Sequence, residues 1–285
     1  MESIARTQCI QISAETLLIA VPDGRSWLMA VGASGLSPLP VSAVAAERSS
    51  LAASVVEGAI VAGLPRKEYG ATAGPYTLLR YVRWLAGNSV FAAQTPGLFR
   101  RAAERFEAAG RRDLAEVCLR KAAEETGHAR LACRDLEALG LPAAKAVRLI
   151  GPPSAQAFAD RFRAYVESDA PVALFGFSYC LERMAVERDE AFIRKVAAIC
   201  PPGARAQRFL RVHSTIGSDR THVHDQLSLF ESFSDPELTR VARAAYETAG
   251  MLARQPLTDQ ALSDEEIDRR LRLAGIAVPE PAVRE

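Results

Sequence analysis

An all-α core with a small N-terminal α+β appendage is expected from two observations on the 285-residue chain. From Pro75 onward, apolar residues recur at helical spacing, and Gly or Pro interrupts them at helix-length intervals. Before that point, short apolar runs punctuated by turn residues read as strands. The expected organisation is an appendage over 1–70, a helical domain of seven to eight helices over 71–260, and a C-terminal helix and tail over 261–285.

The elements follow in order. Cys9–Ala14 and Leu17–Val21 read as strands, Pro22-Asp23-Gly24-Arg25 as a turn, and Ser26–Val31 as the returning strand. Gly32–Pro40 is a Gly/Ser/Pro-rich connection, and Val41–Ala62 supplies one or two helices. This segment resembles in outline a peptide-binding winged-helix module, without a specific motif. Its alternative is a plain extension packed on the main domain. Helical periodicity then covers Tyr76–Asn88, Pro96–Ala109, Asp113–Leu139, Ala143–Leu149, Ser154–Glu167, Pro171–Ala198, Ala204–Phe230 and Asp235–Arg254. Ser234-Asp235-Pro236-Glu237 is a helix start, and Asp264-Glu265-Glu266 opens a last charged helix.

Composition excludes several classes. Hydrophobic residues make up 49% and charged residues 24%, enough for a real core. A net charge of +1 favours neither nucleic acid nor an anionic membrane. Apolar stretches stop short of the ~18 residues a spanning helix needs. No basic region followed by an apolar run opens the chain, so a cytoplasmic location is expected. The five cysteines are dispersed without C-x-x-C, which suits reduced thiols.

All four histidines fall in two windows: Glu124-Glu125-Thr126-Gly127-His128, and His213 through Asp219, His222 and His224. Glu125-x-x-His128 and Asp219-x-x-His222 repeat one unit, a carboxylate three residues before an imidazole, and histidine is the commonest metal ligand. On a helix Glu125 lies about 60° from His128 and Glu124 about 40°. Glu125 is the better placed of the two to share an ion with His128; Glu124 is left to bridge, to accept a further hydrogen bond or to face solvent. Glu182, a lone acid on the apolar stretch Phe175–Leu181, needs a partner, either a cation or a metal.

Together these residues resemble the heme-oxygenase-like diiron oxidases and oxygenases, relatives of thiaminase II and the pyrroloquinoline-quinone synthase. The resemblance covers roughly 76–254. It rests on E-E-x-G-H followed by Leu131, Asp135-Leu136 and Leu139-Gly140-Leu141-Pro142, on Glu182, and on the final His/Asp/His cluster. It implies two Fe(II), with Mn as a substitute, held by Glu125, His128, Glu182, His213, Asp219 and His222, and O2 as co-substrate. It also implies a small amino-acid-like or fatty-acid-like substrate in specialised metabolism, and a homodimer. Arg183 and Arg211 flank the implied ligands and are either structural or available to a substrate carboxylate. Peptide or carrier binding through the appendage is the corresponding expectation for residues 1–70.

The final cluster departs from the family spacing H-x-x-x-D-x-x-H by two extra residues. On a straight helix His213 points about 120° from Asp219 and lies about 9 Å along the axis. Both bind one centre only if the helix bulges or breaks between them, and Gly217 sits in the gap. In a regular helix, His224 or water completes the site instead. A ferritin-like bundle is the rival scaffold, but it wants a glutamate some 30 residues before Glu125, where none stands. True heme oxygenase needs one proximal histidine rather than this carboxylate-rich set. Two other functions remain open: a metal-free enzyme on the same fold, with Cys133 or Cys180 as nucleophile in its hydrolase form, and a non-catalytic partner protein.

Overall fold

The structure, a computed structural model, describes residues 7–48, 50–64, 76–259 and 262–277, the side chains of 256–258 excepted. It divides into two compact units. No described helix is long and apolar enough to cross a membrane.

The first unit combines Met1–Ala71 with Val172–Met184 and Arg220–Arg254. Strands β1 (Gln8–Ser13), β2 (Thr16–Ala20), β3 (Ser26–Ala30) and β4 (Ser37–Pro38) form an antiparallel sheet in sequence order. Leu18 sits opposite Leu28, and Ile10, Ile12, Leu18 and Ala20 are buried. The alternation of these positions is the period-2 pattern that the sequence carries. Helix α1 (Ala43–Arg48) precedes α2 (Leu51–Gly63), whose N-cap Ser50 accepts from the Ala53 N–H. A Cβ on Gly58 would lie 2.7 Å from Ser26 Oγ, so its absence lets α2 lie close on the sheet. Helices α8 (Ala173–Ala185), α11 (Asp219–Phe230) and α12 (Asp235–Asp259) supply most of the remainder. A Cβ on Gly176 would lie 2.0 Å from the Val241 carbonyl oxygen, so α8 and α12 meet backbone to backbone there.

The second unit is built on α3 (Leu78–Ala108), a single helix where two were expected. Pro96 lies inside it rather than at a start. A mid-helix proline costs ~3 kcal/mol. The buried face that runs unbroken from Ala92 through Thr95, Leu98, Phe99 and Ala102 to Phe106 offsets that cost. Helices α4 (Arg112–Glu124), α5 (His128–Ala138), α6 (Ala143–Ile150), α7 (Pro153–Glu167), α9 (Glu190–Ile199), α10 (Arg208–Val212) and α13 (Asp264–Leu273) complete it. Tyr81, Val82, Leu85, Leu136, Ile150, Val196, Phe209 and Leu271 share its core.

Three expected long helices are each split. Asp113–Leu139 breaks at Glu125–Gly127, where Gly127 takes φ +101°, a conformation only glycine adopts readily. Pro171–Ala198 breaks before Asp189, which caps α9 by accepting from the Phe192 N–H at 2.8 Å. Ala204–Phe230 breaks over 213–218. There a Cβ on Gly217 would lie 1.9 Å from the Val212 carbonyl oxygen, so no other residue fits that turn. Apolar periodicity continues across all three breaks, which is why it reads as unbroken helix.

Candidate metal centre

Glu125 is the residue on which α4 ends and His128 is the first of α5. The left-handed Gly127 between them turns the chain so that His128 Nδ1 lies 2.9 Å from Glu125 Oε2. The pair therefore meets across a turn rather than along a helix face. Burial pulls the Glu125 pKa up. The His128 hydrogen bond and the charges of His213 and His128 outweigh burial and Asp219, and the net direction is down. Glu124 pairs with Lys121 at 3.7 Å.

His213 ends α10, outside regular helix at φ −98°, ψ 65°. Its ring packs on Phe209 at 4.5 Å and meets the His128 ring edge-on at 4.8 Å between centroids. Asp219, fully buried as the first residue of α11, places Oδ2 3.1 Å from His213 Nδ1. Such a carboxylate fixes the ring and its tautomer and leaves the other ring nitrogen for a metal. One ligand atom from each of Glu125, His128 and His213 lies within 4.8 Å of the others. Ligand atoms ~2.1 Å from an ion stand at most about twice that apart, so the three need to close by about half an ångström. Two imidazoles and one carboxylate, with a second carboxylate behind, suit a borderline divalent ion such as Fe(II) or Mn(II). The donor set fits a metal.

Glu182 and His222 belong to the first unit. Both are nearly covered, with His222 Nδ1 4.0 Å from Glu182 Oε2. Glu182 also accepts from Gln226 Nε2 at 2.6 Å and from Ser178 Oγ at 3.3 Å. These are hydrogen bonds within α8 and from α11, so the lone acid of the sequence has protein partners. His224 is exposed, while the break before Asp219 brings His213 to Glu125 and His128. Of the two ways to accommodate the long spacing, the chain uses the broken helix.

Two residues have roles that the sequence reading did not assign. Asp135, fully buried on α5, accepts from the Phe209 N–H at 2.8 Å and from Arg208 Nη1 at 3.1 Å. Burial raises its pKa against those bonds. It thereby holds the helix that delivers His213. An acid in step with Leu131, Ala132, Leu136 and Leu139 was the signal. Glu57, buried on α2, accepts from Arg183 Nε at 3.2 Å and from the Tyr179 hydroxyl. Arg183 is thus tied to Glu57 through its Nε. Phe175 and Tyr179 pack on Phe233 and Phe230, as core. Arg211 is exposed.

Neither sequence-proposed thiol is activated. Cys180 is buried and its pKa is pushed up by burial, and then by the Glu57 charge. Cys133 is raised by burial and by Glu137.

Neither a protein-family model nor a curated protein matches the chain. Among solved structures, one is a domain of unknown function from Shewanella denitrificans OS217 with a heme oxygenase-like fold. It superposes with a TM-score of 0.56 at 13% identity, over 78% of this chain and 88% of that one. The fold is heme oxygenase-like. At that identity the likeness carries the heme oxygenase-like architecture alone, as the sequence led one to expect. The chemistry rests on the residues.

Proposed function

We propose that this chain is a non-heme diiron oxidase or oxygenase acting on a small organic substrate. The observation that carries the reading is the meeting of Glu125, His128 and His213, with Asp219 behind His213, at two breaks between helices, α4 to α5 and α10 to α11. Ligands placed at breaks in otherwise continuous apolar patterns cost backbone hydrogen bonds, and a bound ion offsets that cost. The Glu182–His222 pair is the second carboxylate–histidine set that a two-metal reading requires. Bound iron would supply electrons to O2 and carry the oxidation. The chain's own residues bind the metals, fix the His213 ring through Asp219, and keep water from the cluster by burial. The amino-acid-like or fatty-acid-like substrate class is an extension from the family resemblance.

The test is O2 uptake by Fe(II)-loaded protein. Rapid consumption, with about one O2 per two irons and a new visible absorption, is expected. Uptake no faster than free Fe(II) in buffer sinks the oxidase reading while leaving metal binding intact.

A further inference from the structure

Within the second unit a chain of aromatic rings leads from the metal cluster to the surface. The His213 ring lies 4.5 Å from Phe209, and Phe209 meets Trp84 edge-on at 5.6 Å between centroids. Trp84 stacks on Tyr81 at 5.8 Å, with 18° between the ring planes. Tyr81 lies 6.3 Å from Tyr76, which is 40% exposed. Tyr81 and Trp84 are three residues apart on α3, so helical spacing brings their rings together. Phe209 stands on α10, the helix that His213 ends.

Packing alone does not ask for these residue types. A phenyl ring fills a core as well as an indole or a phenol, but only the latter two give up an electron readily. The second unit holds four Tyr or Trp residues, and Tyr76, Tyr81 and Trp84 are three of them. The fourth, Tyr165, lies on α7 beside Arg161. Where α3 meets α7, the ring pairs are Phe91 with Phe158 and Phe99 with Phe162. The oxidisable rings are thus concentrated on the line from His213 to solvent.

Their surroundings favour movement outward. The Arg188 guanidinium lies 5.4 Å over the Trp84 ring and opposes a positive charge on the indole, so an oxidised Trp84 passes its charge on. The Tyr81 hydroxyl donates to the Ala206 carbonyl at 2.5 Å, and a carbonyl is no base for a phenol proton. Desolvation raises the pKa of both tyrosines, so each keeps its proton until it is oxidised. At Tyr76, solvent takes that proton.

We propose that Trp84, Tyr81 and Tyr76 form a path that discharges oxidising equivalents from a metal at His213 to the protein surface, where a soluble thiol or ascorbate-type reductant quenches them. The path rests on a redox-active metal at the Glu125–His128–His213 cluster, and not on O2 as the oxidant. With hydrogen peroxide as oxidant, cleaving its O–O bond to give two waters takes two electrons and two protons. Tyr76 supplies one of each as its O–H bond breaks, regains a hydrogen atom from the reductant, and supplies the second of each. The metal is left as it began, and the reductant is oxidised by two electrons.

Hydrogen peroxide added to desalted, Fe(III)-loaded full-length protein without reductant tests the path, read by rapid-freeze EPR and mass-spectrometric mapping of oxidised side chains. A phenoxyl signal and oxidation of Tyr76 are expected, with Tyr165 untouched. Trp84→Phe keeps a ring in place and should bind the same iron but lose the Tyr76 product, with damage moved to Phe209, His213 and His128. Tyr76→Phe, a change at an exposed ring, should also bind the same iron and hold the oxidation on Tyr81 or Trp84. Undiminished Tyr76 oxidation in Trp84→Phe, Tyr165 oxidised as fast as Tyr76, or no oxidised ring in Tyr76→Phe overturns the path and leaves the metal reading standing. Parent protein that holds no iron at the cluster overturns both.

Discussion

The Glu125–His128–His213–Asp219 cluster and the Glu182–His222–Gln226 set draw on nearly the same residue types and are built in opposite ways. In the second, each side chain sits within a regular helix, α8 or α11, and its orientation follows from helical spacing. In the first, Glu125, His128 and His213 stand at helix ends, and two glycines make the geometry. A side chain at a helix end is not aimed by its own helix. It needs anchors, which here are Asp135 under α10 and Asp219 on the His213 ring. The first cluster should therefore respond to changes at turns and anchors that leave the second untouched.

The largest effect expected is on metal. His213→Ala or His128→Ala should weaken binding at the first cluster by ~100-fold or more, read by metal analysis after desalting. Glu182→Ala should lose one equivalent and keep the other. Loss of both equivalents in any one of the three variants would collapse the distinction between the two sets.

Next in size is Asp135→Ala. It strands the Phe209 N–H and frees Arg208, and should cost about 2–4 kcal/mol in urea unfolding. It should also lower first-cluster metal affinity by ~10-fold without touching the second. Loss of stability with unchanged affinity would reduce Asp135 to a packing role. The smallest effect is that of Gly127→Ala, a strained φ with open space around it. About 1–2 kcal/mol of destabilisation is expected, with metal affinity falling more than for a helix-surface substitution of equal cost.

The same contrast marks what could be read in the sequence. Strand alternation, capping residues and helix periodicity gave the N-terminal sheet, α6, α7 and the α12 start within a few residues. Residue type and spacing picked out Glu125 with His128 and Asp219 with His222, and the family resemblance added His213. The extra residues before Asp219 together with Gly217 left a break and a regular helix both open there. The breaks after Glu124 and before Asp189, and the passage of α3 through Pro96, were not legible. In each, tertiary burial overrides the local signal: apolar faces continue across two gaps, and a continuous buried face holds a helix around a proline. The roles of Glu57 and Asp135 were unassigned for a related reason. A buried charge looks like a surface charge until its surroundings are known.

An anaerobic Fe(II) titration of the metal-free protein, followed by calorimetry and repeated with His213→Ala, decides the matter of the metal. Two equivalents per chain for the parent and one for the variant are expected. No stoichiometric binding by the parent, or an unchanged isotherm for the variant, would contradict a metal centre built at the helix breaks.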